Sequence, residues 1–108
     1  MTVGELISTD AFTPLALPTP EREIDGVYIG DLLSWVMGRA ECDNAWITIM
    51  SNINVIAVAT LVDVSCVILA EGVAPDDEFI KTANSKGVNV LSTDLPIYGA
   101  AVRLANTI

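Results

Sequence analysis

Chemistry near neutral pH needs a proton acceptor, an activated nucleophile or a clamp for charge, and this sequence is short of all three. It contains no histidine. Neither a serine nor a cysteine therefore has its usual partner for proton transfer, although lysine or carboxylate bases remain conceivable. Two carboxylate pairs lie close in sequence, Asp76 with Asp77 and Glu21 with Glu23. The first is explained by the positive end of a helix dipole and the second by a solvated connection. Cys42 and Cys66 stand 24 residues apart without a CxxC motif, and a zinc site needs about four grouped ligands, so no metal centre is expected. Cys66, inside Val64-Ser65-Cys66-Val67-Ile68-Leu69, reads as a small buried hydrophobe. A disulfide is not expected in a reducing compartment. The phosphate-gripping pattern GxxxxGK[ST] is absent: Gly26-Val27-Tyr28-Ile29-Gly30-Asp31 has the wrong spacing and no lysine. GxGxxG is absent too. No catalytic residue and no cofactor are assigned.

One constellation survives. Short hydrogen-bonding side chains follow several apolar runs, in Met50-Ser51-Asn52-Ile53-Asn54, Ala70-Glu71-Gly72 and Ser92-Thr93-Asp94, with Gly30-Asp31 as a fourth candidate. If those runs are parallel strands, the loops leaving their C-terminal ends gather on one rim, where ligands enter open α/β sheets. The candidate ligand-binding residues are Gly30, Asp31, Ser51, Asn52, Asn54, Glu71, Gly72, Ser92, Thr93 and Asp94. A plainer explanation competes, since Asp31, Asn54 and Asp94 all stand where helix N-caps belong. A phosphorylated ligand could use exposed helix-start amides. It would also meet Asp31, Glu71 and Asp94 with no arginine or lysine nearby in sequence, which counts against tight nucleotide binding.

These loops need elements to hold them. Thr2 to Thr9 is expected to form a short helix capped by Thr2, with Val3, Leu6 and Ile7 on one face. Pro14, Pro18 and Pro20 exclude a helix around Leu15-Ala16-Leu17 and allow an edge strand or a turn. Val27-Tyr28-Ile29 reads as a strand, and Gly30-Asp31 opens a helix capped by Asp31. Leu32, Leu33, Trp35, Val36 and Met37 make that helix apolar almost all round, so Leu32, Trp35, Val36 and Met37 are candidates for an interface with a second subunit. Trp46-Ile47-Thr48-Ile49, Val67-Ile68-Leu69 and Val88-Asn89-Val90-Leu91 read as strands. Helices are expected over Val55 to Leu61, Asp76 to Ser85 and Pro96 to Ala105. The strand centres Ile47, Ile68 and Val90 are 21 and 22 residues apart, a spacing that fits short βαβ crossovers and a parallel core sheet. The fourth helix has Pro75 at its start, Asp76, Asp77 and Glu78 in its first turn, Lys81 and Lys86 further on, and Gly87 as its left-handed stop.

Composition sets the outer bounds. A length of 108 residues allows one domain. Apolar residues make up 52% of the chain, more than one small core hides, and self-association is the economical outlet. The balance of 14 acidic and 5 basic residues gives a net charge of −9. That charge repels phosphate backbones and anionic headgroups, so neither nucleic acid nor a membrane is an expected partner. No apolar run reaches the roughly 18 residues of a spanning helix. Glu5 sits where a signal peptide would carry a base, and the expected location is the cytoplasm.

The string Val27-Tyr28-Ile29-Gly30-Asp31-Leu32-Leu33-Ser34, followed by Val36-Met37, resembles small stand-alone DRTGG-domain proteins. Ala45 to Ile49, Ala70-Glu71-Gly72, Gly87 to Thr93 and Tyr98 to Leu104 fit the same pattern in the same order. The resemblance implies a three-layer α/β/α domain with a mixed, mainly parallel sheet, similar to the N-terminal domain of HPr kinase/phosphorylase. It implies a regulatory or oligomerising attachment whose associated catalysis belongs to other domains. The family's name motif is expected in the loop after the Ala45 to Ile49 strand, where this chain has Met50-Ser51-Asn52-Ile53-Asn54 instead. The expectation for residues 1–108 is thus one DRTGG-like domain, a non-enzymatic regulatory module. It would be a homodimer that recognises a small molecule, an adenine nucleotide among the candidates, or a cytosolic signalling protein. A pure assembly module without a small ligand is the alternative, and an enzyme is the third.

Overall fold

The computed structural model describes all 108 residues. Its elements follow in the order α1 (Val3–Ile7), β1 (Thr13–Ala16), β2 (Val27–Ile29), α2 (Leu33–Arg39), β3 (Ala45–Thr48), α3 (Asn54–Val62), β4 (Cys66–Leu69), α4 (Asp77–Lys86), β5 (Val90–Ser92) and α5 (Ile97–Thr107). One five-stranded sheet runs β1-β5-β4-β3-β2. Strands β2 to β5 are parallel, and the proline-bracketed β1 joins the β5 edge antiparallel. The break in register between Pro14 and Ala16 fits a strand whose proline has no N–H to donate and is tolerated only at an edge.

The four parallel strands succeed one another without a reversal, so the three crossovers wind in one direction. Their helices α2, α3 and α4 accordingly share one face of the sheet. Val36, Val55, Ile56, Ala59, Phe79 and Ala83 pack there against Trp46, Val67, Leu69 and Val90. The opposite face is covered by α1 and α5, with Val3, Leu6, Ala100 and Leu104 against Ala45, Ile47, Cys66, Ile68 and Leu91. Alternate residues of β3 and β4 feed alternate clusters, which is the period-2 rule acting on strands buried on both sides. The result is the expected three-layer α/β/α sandwich with a mixed sheet. No helix is long and apolar enough to cross a membrane.

Three cap assignments need correction. Asp31 does not cap α2, whose N-cap is Leu32 without a side-chain bond. Asn54 is the first residue of α3 rather than its cap; the side-chain oxygen of Asn52 (Oδ1) accepts from its backbone amide at 3.0 Å. Asp94 does not cap α5, whose N-cap is Pro96. By contrast, Thr2 forms a capping box with Glu5, Asp76 accepts from the Phe79 amide, and Gly87 closes α4 with φ +74°. Val36 is also misassigned as an interface residue. It is fully buried beneath α2 in its own chain's core, whereas Leu32, Trp35 and Met37 are 55%, 52% and 46% exposed.

The two ends of the sheet differ. At the N-terminal end, Asn44, Ser65 and Asn89 each precede a parallel strand and are buried. Asn89 binds both backbone groups of Thr19 and the Ser65 carbonyl. Ser65 donates to the carbonyls of Glu23 and Asp43. Arg22 pairs with Asp43 at 2.7 Å and Asp63 at 2.8 Å. This end is a closed network that fastens residues 1–25 to the strand starts, with no buried side-chain polar atom unsatisfied.

Candidate functional site

The loops after β2, β3, β4 and β5 leave the sheet at its other end, because the four strands run the same way. The chemistry along this rim is uneven. Connections leave β2, β3 and β4 toward the α2–α4 face, whereas the connection from β5 leaves toward α5 on the opposite face. In an open α/β sheet, the place where neighbouring connections part is where a crevice forms. Here that place lies between β4 and β5.

Residues from both loops meet there. The amide of Glu71 donates to the Leu95 carbonyl at 2.9 Å, and the amide of Gly72 donates to the Thr93 carbonyl at 3.0 Å. The Glu71 carboxylate reaches the first amide of α5, Ile97, at 3.4 Å, supplying the cap that Asp94 was expected to give. Gly72 has φ +71°, and a Cβ there would lie 3.2 Å from Asp94 Oδ1. This position needs glycine twice, for its left-handed backbone and for the close approach of Asp94. The Thr93 hydroxyl accepts from the Leu95 amide at 3.2 Å. Glu71, Gly72, Ser92, Thr93 and Asp94 are therefore neighbours, as the parallel-sheet reading requires.

Two cavities flank this junction. One of about 550 Å³ lies on the α5 side and is lined by Asp10, Thr13, Ser92, Thr93, Asp94 and Arg103, with Ala11, Leu95 and Pro96 as its apolar part. The second, about 200 Å³, lies on the α4 side against Leu15, Val73, Pro75 and Ile80, and it too is bounded by Ser92 and Asp94. Sequence reasoning missed Asp10, Thr13 and Arg103. Asp10 and Thr13 belong to the turn and edge strand that join the sheet only through long-range β1–β5 pairing. Arg103 carried a usable signal: it follows Pro96 by seven residues, two turns along one helical stripe.

The other candidates sit elsewhere. Asp31 accepts from the Thr48 hydroxyl at 2.7 Å and the Ile49 amide at 3.0 Å. It ties the loop after β2 to the loop after β3, and together with Gly30, Ser51 and Asn52 it stands at the far end of the rim. The Trp46 indole also bonds this end, donating to the Gly30 carbonyl at 3.0 Å. Asn54 lines a third cavity of about 320 Å³ between α3 and α4, beside Thr60, Thr82 and Lys86. Nine of the ten candidates thus divide between the two ends of the rim, and Asn54 stands apart from both. The one hydroxyl bonded to a candidate carboxylate is that of Thr48, on Asp31, and no group of three or more cysteine and carboxylate side chains is placed to hold a metal. Burial pushes the Cys66 thiol up to about 12, which keeps it protonated and unreactive in the core.

Comparison with known proteins agrees with the fold. Among curated proteins no relative matches the sequence. A structure of the CBS and DRTGG domains from the regulatory region of Clostridium perfringens pyrophosphatase, complexed with the activator diadenosine tetraphosphate, superposes with a TM-score of 0.72. The likeness covers 93% of this chain and 44% of that one, at 15% identity; it shows a shared fold, and this chain spans less than half of that neighbour. The model of the DRTGG domain matches residues 23–107, leaving out the residues that carry α1 and β1. The chain belongs to the DRTGG-domain family.

Proposed function

We propose that this chain is a non-catalytic regulatory module, residues 1–108 acting as one unit, that senses a small molecule at the β4–β5 end of its rim. The observation that carries this reading is the cavity of about 550 Å³ on Ser92, Thr93 and Asp94, at the point where neighbouring connections part. Its size falls within the roughly 300–1,000 Å³ of small-molecule sites. Support also comes from the family, since the pyrophosphatase neighbour's DRTGG domain lies in a regulatory region that was captured with a nucleotide activator. The similarity to the HPr kinase N-terminal domain drawn from the sequence points the same way. Gly30, Asp31, Ser51 and Asn52 shape the distant end of the rim in this reading and do not touch the ligand. Two free cysteines and an acidic surface suit a cytoplasmic setting.

Isothermal titration against adenine nucleotides and a panel of small metabolites tests the proposal. Saturable heat from one compound supports it. Silence across the panel would refute the ligand half and favour the assembly alternative.

A separate observation favours a homodimer. Ile29, Leu32, Trp35 and Met37 are all exposed, and they belong to the edge strand β2 or to the connection and helix that follow it. An apolar surface of this kind is unusual on a small monomer. Arg39 stacks on Trp35 with its guanidinium carbon 3.7 Å from the ring centroid, so Trp35 is held in place at the surface. Light scattering of the wild type and of Trp35→Asp decides the matter: a dimer reduced to a monomer by the substitution is the expected result. Two identical monomers would remove the interface.

A further inference from the structure

We infer that the cavity beside β5 takes a small zwitterion carrying a carboxylate and a primary ammonium, with Arg103 holding the carboxylate and Asp10 and Asp94 the ammonium. This rests on the ligand-sensing reading and names the chemistry of its ligand. Three charged side chains line one space: Arg103 from α5, Asp10 from the turn before β1, and Asp94 from the loop after β5. None is paired within the chain, whose ion pairs are Met1–Glu23, Arg22–Asp43 and Arg22–Asp63 at the opposite end of the sheet. All three are exposed, and what sets them apart from the chain's other unpaired charges is that one arginine and two aspartates line a single cavity.

Their signs select the ligand. An anionic group has one cation to meet, because the first amide of α5 is already engaged by the Glu71 carboxylate. A planar guanidinium matches a carboxylate through two parallel hydrogen bonds. A polyphosphate would meet two carboxylates for one arginine, inside a chain of net charge −9, and the field of the whole protein opposes it. A molecule neutral overall, with its charges set apart, meets favourable partners at both ends. The hydroxyls of Thr13, Ser92 and Thr93 can complete its hydrogen bonds. No aromatic side chain lines the cavity, so a nucleobase finds no ring to stack on.

The test is a titration of the isotope-labelled chain, followed by amide chemical shifts. The probes are pools of the common amino acids and then single members. Alongside them go the matched 2-hydroxy acids (amine removed), the matched amines (carboxylate removed), sugar phosphates and adenine nucleotides. Saturable shifts at Thr13, Ser92, Asp94 and Arg103 with at least one amino acid are expected. Removing either charged group should weaken binding about tenfold or more, the scale of a charge-assisted hydrogen bond. Arg103→Gln should weaken the amino acid to a similar degree and leave the matched amine unaffected, while Arg39→Gln, outside the cavity, should change neither. Cavity shifts caused only by nucleotides or sugar phosphates, or indifferent to loss of either charge, would overturn the zwitterion and leave ligand sensing intact. No response to any compound at any residue would overturn ligand sensing itself.

Discussion

Asn89 offers the sharpest check on how the molecule divides its labour between its two ends. The side chain is 1% exposed. Its oxygen accepts from the Thr19 amide at 2.9 Å, and its nitrogen donates to the carbonyls of Thr19 at 2.7 Å and Ser65 at 2.9 Å. Asn89→Ala removes three hydrogen bonds together. At about 1 kcal/mol net for each, the loss is about 3 kcal/mol. For a domain of this size, that corresponds to a fall in Tm of roughly 12–24 °C. Asn89→Asp is more discriminating, because it keeps the acceptor and turns the donor into a carboxylate oxygen facing two carbonyls. Burial and those carbonyls disfavour the charged form, so the carboxyl titrates higher in the folded chain than in the unfolded one. The variant's stability is then fully present below the unfolded value, near ~4, and is lost as pH rises through the folded value. Measured as a difference from the wild type, its deficit should grow from about pH 5 to about pH 8 and exceed that of Asn89→Ala at the upper end. Thermal melts of the three proteins at both pH values supply the readout. A deficit independent of pH, or an alanine variant within ~0.5 kcal/mol of wild type, would refute the reasoning.

Other consequences concern the rim and the core. Gly72→Ala places a Cβ 3.2 Å from Asp94 Oδ1 at φ +71°, so it should cost about 1–2 kcal/mol and weaken any ligand that contacts Asp94; melts and titration report the two effects separately. Asp31→Ala frees the Thr48 hydroxyl and the Ile49 amide, and about 2 kcal/mol should be lost while affinity in the β5 cavity is unchanged, as titration would show. Cys66 is buried with its thiol pushed up to about 12, whereas Cys42 is exposed. Alkylation of the native chain at about pH 8 should therefore give a single adduct at Cys42 by mass spectrometry, and a second only in denaturant. Desolvation and hydrogen bonding to Asp63 also raise the Cys42 thiol, so its reaction should be slower than that of a free cysteine.

Much of the fold was legible because local rules acted without competition. The apolar runs around Ile47, Ile68 and Val90 have no polar alternation, and strands buried on both faces read that way. The fourth helix carries a cap, an acidic first turn and a glycine stop, each a contact made within a few residues. The absence of histidine and of a phosphate loop needed no coordinates either, since chemistry that lacks its groups cannot be assembled by any fold.

Tertiary structure decided which polar residues are spare. Asp31, Asn54 and Asp94 looked alike as helix caps, yet one ties two loops together, one begins a helix and one faces a cavity. A side chain's bonding partners are set by packing across the sheet, not by its neighbours in sequence. Val36 and Trp35 are adjacent on an apolar helix, and only the placement of α2 on the sheet sends one to the core and the other to the surface. The cavity itself is built from Asp10, Ser92 and Arg103, brought together by antiparallel pairing of β1 with β5 and by the return of α5 across the opposite face. Contacts of that range leave little local pattern, because they are fixed by the closing of the whole sheet.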